Sequence, residues 1–190
     1  MHRLAFFLVF IPLAMLAAGL FGAVHDQISY SVSPEYFTKF KFLQFGLLNT
    51  TVPERVRAAQ VGFLASWWMG VPLGILCGAA GLIQRTRTLM WRALVLSLFV
   101  AVLITLITAL AGLGYGWQQT QHISVTGYYH WLIPQDVNNQ RAFLCVGYMH
   151  NAAYLGGALS IFVVWIFNIA FRRYTIDQGT VLLAESKSGN

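Results

Sequence analysis

Four long apolar segments leave this chain few folds to adopt. They cover about residues 4–24, 52–83, 93–115 and 137–171, and about 20 such residues are enough for a helix to cross the hydrocarbon core of a bilayer. Only 9% of the chain is charged, whereas a soluble domain carries roughly a quarter. The sequence therefore predicts an all-α integral membrane four-helix bundle, with one transmembrane domain over residues 1–173 and a cytoplasmic tail over 174–190.

The first apolar segment has a second interpretation, as a cleaved signal peptide. Ala17, Ala18 and Gly19 supply the small residues of a cleavage site, but the apolar run is longer than the roughly 7–15 residues of a signal-peptide core. The length favours an uncleaved first helix.

The arginines predict which ends of the helices face the cytoplasm. Arg3 precedes the first segment, the short connection over residues 84–92 holds three arginines and no acid, and two more arginines follow the last segment at 172–173. Short loops rich in Arg and Lys stay on the cytoplasmic side, and four crossings bring all of these residues to one side. We therefore predict cytoplasmic N- and C-termini and two larger loops on the outer face.

The densest run of polar, ionisable and aromatic residues follows the first segment, at residues 25–42 (HDQISYSVSPEYFTKFKF). Residues 25–32 alternate weakly and predict an extended connector. Ser33 then favours a helix N-cap, Pro34 suits the first helical position, and Glu35 complements the positive helix end. A short helix over about residues 34–48 carries rings and lysines on several faces, so we expect it at the membrane interface, as part of an outer loop domain.

Small residues recur along the second apolar segment at helical spacing. The stripe consists of Gly62, Ser66, Gly70, Gly74 and Gly78. Small side chains at this spacing allow another membrane helix to approach closely. In the fourth segment Ala152, Gly156 and Ser160 give a matching face.

Four of the five histidines are expected at one level on the outer side. At 1.5 Å per residue, counting from the cytoplasmic ends of the helices places His150 at the outer boundary, level with His25 and Asp26. Imidazoles and carboxylates suit zinc, copper or iron. The candidate metal ligands are His25, Asp26, Glu35, His122, His130 and His150. In the competing interpretation these histidines only cap and anchor helices, since no HExxH, EF-hand or CxxC pattern is present.

Further polar residues are expected at the same level as the histidines. Tyr154 follows His150 by one helical turn on the same face, and ionisable groups near membrane depth are functional candidates. The candidate ligand-binding residues are Tyr36, Arg57, Arg141, Asn151 and Tyr154. Two alternatives stay open: the charged members form interfacial salt bridges, or His25 and His150 are the axial ligands of a haem.

Several function classes are disfavoured by what the sequence lacks. It contains no P-loop, Rossmann fingerprint or nucleophile elbow, and Cys77 and Cys145 lie in separate segments without a CxxC pair. No charged residue is expected mid-membrane, whereas ion-coupled transporters place such residues at depth. The basic residues sit at the ends of apolar segments, so we expect no nucleic-acid partner. No motif decides between an enzyme and a binding protein.

Two stretches resemble a known group of sequences. HDQISYSVSPEYFTKFKFLQFGL (residues 25–47) and HNAAYLGG (residues 150–157) are similar to the hallmarks of an uncharacterised family of bacterial four-helix inner-membrane proteins. The resemblance spans the whole topology and implies the bacterial inner membrane as location. No activity is attached to the family.

Three functions fit these features, and each predicts a different structure. A metal-binding protein requires the histidines and carboxylates to approach within a few ångströms of one another. A non-catalytic scaffold or accessory subunit, which contacts lipid, a membrane-protein partner or a second copy of itself, predicts separated histidines and an exposed apolar or aromatic patch on the outer domain. A lipid- or quinone-binding protein predicts a deep apolar cleft that opens laterally between helices.

Overall fold

The structure is a computed structural model that describes residues 3–122, 128, 131 and 133–188, with side chains described as far as residue 178. Its helices are α1 (Arg3–Val32), the short helical segment α2 (residues 34–44), α3 (Glu54–Gly81), α4 (Arg87–Gln119) and α5 (Gln140–Ser188). The described residues contain no β-strand, which confirms the predicted all-α helical bundle.

Four of these helices are long and apolar enough to cross a membrane. They are α1, α3, α4 and the part of α5 from Gln140 to Gln178. Their outward faces carry large apolar side chains, such as Phe99, Phe162 and Ile166, which are 69%, 69% and 67% exposed. Apolar surface on this scale suits lipid rather than water.

The stripe of small residues packs α3 directly against α1, as its spacing predicts. A Cβ added at Gly62 would overlap the carbonyl of Gly22, and one at Gly70 would overlap the backbone of Met15. Only a residue without a Cβ permits backbones to come this close. α1 and α3 therefore form one tight hairpin.

The small residues of α5 pack against α4 rather than against the stripe of α3. A Cβ added at Gly156 would lie 2.9 Å from the Cα of Thr105, and one at Gly112 of α4 would overlap the side chain of Ala152. The spacing of small residues shows that another helix can approach this face closely, but it does not identify which helix does so. α4 and α5 form the second tight hairpin of the bundle.

Buried polar side chains join the two hairpins at the end of the bundle that carries Arg3. The Gln84 amide donates to the Asn168 backbone carbonyl at 3.0 Å, and the Asn168 amide donates to the Ser97 hydroxyl at 2.9 Å. The guanidinium of Arg3 donates to the backbone carbonyl of Gln84. These hydrogen bonds link residues in α1, α4 and α5 with Gln84, which follows α3.

Three helices continue beyond their predicted ends, α4 as far as Gln119. The expected extended connector over residues 25–32 is the last part of α1, where the hydroxyls of Ser29 and Ser31 donate to carbonyls one turn back. Residues 25–33 contain no glycine or proline, so no helix-breaking residue ends α1 before Pro34. α5 likewise runs through Ser188, past the predicted end at residue 171.

α2 folds back over the other end of the bundle, called here the α2 end. Ser33 caps it, as predicted, by accepting from the Tyr36 amide, and a π-helical turn follows at Phe37–Lys41. Tyr36, Phe37 and Phe42 are buried in a cluster that includes Val61 of α3 and Phe143 of α5. The rings that sequence placed at the membrane interface thus form the core of a cap on the bundle.

A candidate metal centre beneath helix α2

Two helices bring three ionisable side chains together directly below the cap. His25 and Asp26 lie near the end of α1, and His150 lies in the third turn of α5. His25 is 4% exposed and Asp26 is 2% exposed, while the side chain of His150 is 14% exposed. The chain therefore buries two imidazoles and a carboxylate at the junction of its two hairpins.

Asp26 lies between the two histidines. Its Oδ1 atom is 3.0 Å from Nδ1 of His25 and 3.6 Å from Nε2 of His150. The imidazoles meet edge to face, with 4.8 Å between ring centroids. One ligand atom from each residue lies within 4.8 Å of the others, so small side-chain movements suffice for metal–ligand bonds of about 2.0–2.2 Å.

Three polar atoms in this cluster have no hydrogen-bond partner among the described residues. They are Nε2 of His25, Oδ2 of Asp26 and Nε2 of His150, and all are buried. Buried polar atoms in native proteins are nearly always paired, because each unpaired one loses its solvation without compensation. The cluster thus offers nitrogen and oxygen atoms that can bind a cation.

α2 supplies a lid over the cluster. The ring of Tyr36 lies on that of His150, with 5.1 Å between centroids, and its burial raises the pKa of the Tyr36 hydroxyl. Lys41 lines the cavity below α2. Burial lowers the pKa of the Lys41 ammonium, which the carboxylate of Asp26 partly opposes. α2 therefore brings the amine of Lys41 to the cleft and packs the ring of Tyr36 against His150.

A cleft runs from the cluster toward the Arg3 end, between the two hairpins. It has a volume of about 110 Å³ and extends from His25, Asp26 and His150 down to Phe10 and Cys77. All four long helices line it. Most of the residues that line the cleft are apolar, and most of them are only partly buried.

Glu35, one of the predicted metal ligands, contacts a different part of the chain. Its carboxylate accepts hydrogen bonds from the backbone N–H groups of Asn138 at 3.0 Å and Asn139 at 2.8 Å. These backbone hydrogen bonds lower the pKa of Glu35. Glu35 thus fastens α2 to the connection before α5 instead of joining the cluster.

The other predicted site residues are spread over the α2 end. His122 is exposed beyond the end of α4, and His130 lies outside the described residues. Asn151 is exposed, and Tyr154 is 48% exposed at the wall of the cleft. The structure therefore places only Tyr154 and Tyr36 of the predicted ligand-binding group beside the cluster or cleft.

The two arginines proposed as ligand contacts make structural ones. Arg57 is 7% exposed, stacks over Phe42 at 4.3 Å and donates to the Leu47 carbonyl at 3.2 Å. Arg141 donates to the Trp117 carbonyl and stacks over that indole. Both contacts hold neighbouring chain segments in place, so neither guanidinium faces the cluster.

The sequence does not mark Lys41, which lines the cleft, as a site residue. A lysine among aromatic residues is also the pattern of a side chain that extends toward headgroups, and nothing in residues 34–48 distinguishes the two roles. Its position depends on the way α2 folds back.

The arrangement suits a metal ion better than haem. Two imidazoles and one carboxylate form a donor set found with iron and zinc, and leave further coordination positions open. Haem would have to pass between His25 and His150, whose rings are 4.8 Å apart and share contacts with Asp26.

Comparisons with protein-family models, curated proteins and solved structures found no match for this chain.

Proposed function

We propose that this protein is a membrane-embedded metal-binding protein whose ligands are His25, Asp26 and His150. The observation that supports this proposal most directly is that His25, Asp26 and His150 each offer one possible ligand atom within 4.8 Å of the others. A cation bound among them would neutralise the buried carboxylate and would give partners to polar atoms that have none among the described residues.

The donor set narrows the choice of ion. Imidazole nitrogen suits zinc, copper and iron, while hard cations such as magnesium prefer oxygen. Two histidines and one carboxylate leave open positions on a ferrous or zinc ion. Because His25, Asp26 and His150 line the cleft, an ion held by them would be accessible from it.

The scaffold hypothesis fits the geometry less well. It predicts separated histidines, whereas the imidazoles of His25 and His150 touch. It also predicts an exposed apolar or aromatic patch. At the α2 end Tyr36, Phe37 and Phe42 are buried, while Leu43 and Leu48 are 62% and 59% exposed.

We further infer that the protein lies in the bacterial inner membrane with the metal site at the periplasmic face. Four apolar helices support a membrane location, and the arginines near residues 3, 85–92 and 172–173 favour the Arg3 end as the cytoplasmic one. Single cysteines introduced at the exposed residues Asn49 and Thr88 test the orientation. A membrane-impermeant maleimide should label only Asn49→Cys in intact cells, and labelling of only Thr88→Cys would reverse the orientation.

Metal content of the detergent-purified protein tests the site. Wild type should contain near-stoichiometric zinc, copper or iron, which His25→Ala and His150→Ala should both lose. His122→Ala is the matched control and should retain the metal, because His122 is exposed and outside the cluster. A folded wild type without metal, or equal metal in all variants, would refute the proposal.

A further inference from the structure

The cleft below the cluster is built differently from the tight helix contacts elsewhere in the bundle. Ala14, Ala17 and Ala18 of α1 face Ala101 of α4 and Ala153 and Gly157 of α5 across it. Such small residues normally draw membrane helices into contact. Here the hairpins are joined by polar contacts at the Arg3 end and capped by α2 at the other, so the space between them stays open.

Glycine positions show the contrast directly. At Gly62 an added Cβ overlaps another helix, whereas at Gly157 it meets no atom within 4 Å. Gly157 is nonetheless buried and lines the cleft. Gly157 therefore borders unfilled space inside the bundle.

The length of the cleft matches one extended apolar chain. Its lining residues on α1 run from Phe10 to His25, sixteen residues that rise about 22 Å along the helix. A cleft of this length with a mostly apolar wall suits one extended alkyl chain.

One end of the cleft is polar and carries positive charge. Lys41 lines it, and its ammonium contacts the amide oxygen of Gln44 at 3.0 Å and the Phe40 ring at 4.7 Å. None of the ion pairs among the described residues includes Lys41. With a divalent ion on the cluster, the charges of the ion and Lys41 together exceed the single charge of Asp26. An anionic headgroup complements this end.

The cleft also reaches the lipid-facing surface of the bundle. Tyr154 lines it and is 48% exposed, next to Ala153 and one turn below His150. A molecule from the bilayer can therefore reach the cleft beside Tyr154 without passing through α2.

From these features we propose that the cleft binds one long-chain fatty acid, with its chain between the hairpins and its carboxylate between Lys41 and the cluster. The headgroup assignment rests on the proposed metal site, whereas the chain site rests on the cleft. A carboxylate is a small headgroup, and its oxygen atoms can bind both a metal ion and an ammonium group.

Radiolabelled palmitic acid is the probe for this proposal, measured by equilibrium binding to the full chain in detergent. Gly157→Phe places a ring in the cleft and should lower palmitate affinity at least tenfold without loss of metal. Gly114→Phe is the matched control: Gly114 is exposed on α4, an added Cβ there also meets no atom within 4 Å, and palmitate binding should be unchanged. Ala101→Phe fills the cleft from α4 and should act as Gly157→Phe does.

Equal palmitate binding by wild type and both cleft variants, with metal retained, would overturn the proposal and leave the metal site intact. Palmitate binding that depends on Gly157 in a protein without metal would instead refute the proposed function and support the chain site. The headgroup assignment predicts that Lys41→Gln weakens palmitate several-fold and that the neutral alcohol of the same chain binds less tightly. Tighter binding of that alcohol, of a quinone or of a prenyl phosphate would overturn the assignment to a fatty acid.

Discussion

The ring of Tyr36 lies on the imidazole of His150, with 5.1 Å between their centroids and 31° between their planes. Tyr36 belongs to α2 and His150 to α5, so the cap and the candidate metal ligand are in direct contact. The cap therefore shields the cluster from solvent and restricts the orientation of the His150 ring.

Tyr36→Ala should destabilise the cap and weaken metal binding. Tyr36 is 6% exposed and packs on Phe143 as well as His150, and truncation of a buried aromatic side chain costs about 3 kcal/mol or more. Thermal unfolding in detergent and metal retention during dialysis measure the two effects. Tyr36→Phe should behave as wild type if packing is the role of the ring, and Tyr174→Ala, at a residue 61% exposed, is the surface control.

Asp26→Asn should lower metal affinity at least about tenfold, because changes even in the residues around metal ligands cost 10–100-fold. The substitution keeps the side-chain shape and removes the negative charge. Competition with a chelator of known affinity measures the change. Asp136→Asn removes an exposed carboxylate that pairs with Lys39 at 2.5 Å, and it should leave metal affinity unchanged. Equal affinity in wild type and Asp26→Asn would exclude Asp26 as a ligand.

Gly62→Leu should destabilise the hairpin of α1 and α3 by about 1–3 kcal/mol or more, as overpacking does. Its side chain would meet the Gly22 carbonyl across the tightest helix contact in the bundle. Resistance to unfolding in sodium dodecyl sulfate measures this loss. Gly114→Leu adds the same side chain where no atom lies within 4 Å of a Cβ, and a similar loss there would argue against close packing as the cause.

Acidification should release the connection before α5 from α2 by protonating Glu35. The native pKa of Glu35 lies below its ordinary value of 4.5, owing mainly to hydrogen bonds from the backbone N–H groups of Asn138 and Asn139. These bonds are therefore fully present above pH 4.5 and are lost as the pH falls through the lowered native value. Hydrogen-exchange protection of the two amides should fall in this range for wild type.

Glu35→Gln provides the control for that experiment. It should show weaker protection of the Asn138 and Asn139 amides at neutral pH and little further change on acidification. The ion pair of Lys39 and Asp136 is retained in this variant. A fall of equal size in both proteins would assign the pH dependence to Asp136, whose pKa is also lowered by its partner Lys39.

The architecture follows from properties that each segment carries in its own residues. Apolar length sets the number of spans, because a backbone in lipid must satisfy its hydrogen bonds within the helix. The glycines at 62, 70, 74 and 78 mark a face of α3 where close approach is possible, and they meet α1 there. Helix ends were less predictable, since α1 continues through Val32 without a breaker.

The site depends on contacts between residues far apart in the chain. Counting along the helices placed His25, Asp26 and His150 at one level, but rotation about each helix axis and the pairing of the helices decide whether their side chains meet. The same counting applied to His122, which is exposed instead. Glu35 bonds to Asn139 and Lys41 reaches the cleft because α2 folds back over the hairpins. Hydrophobic periodicity reports which face of a helix is apolar, and it carries no information about which neighbour that face will meet.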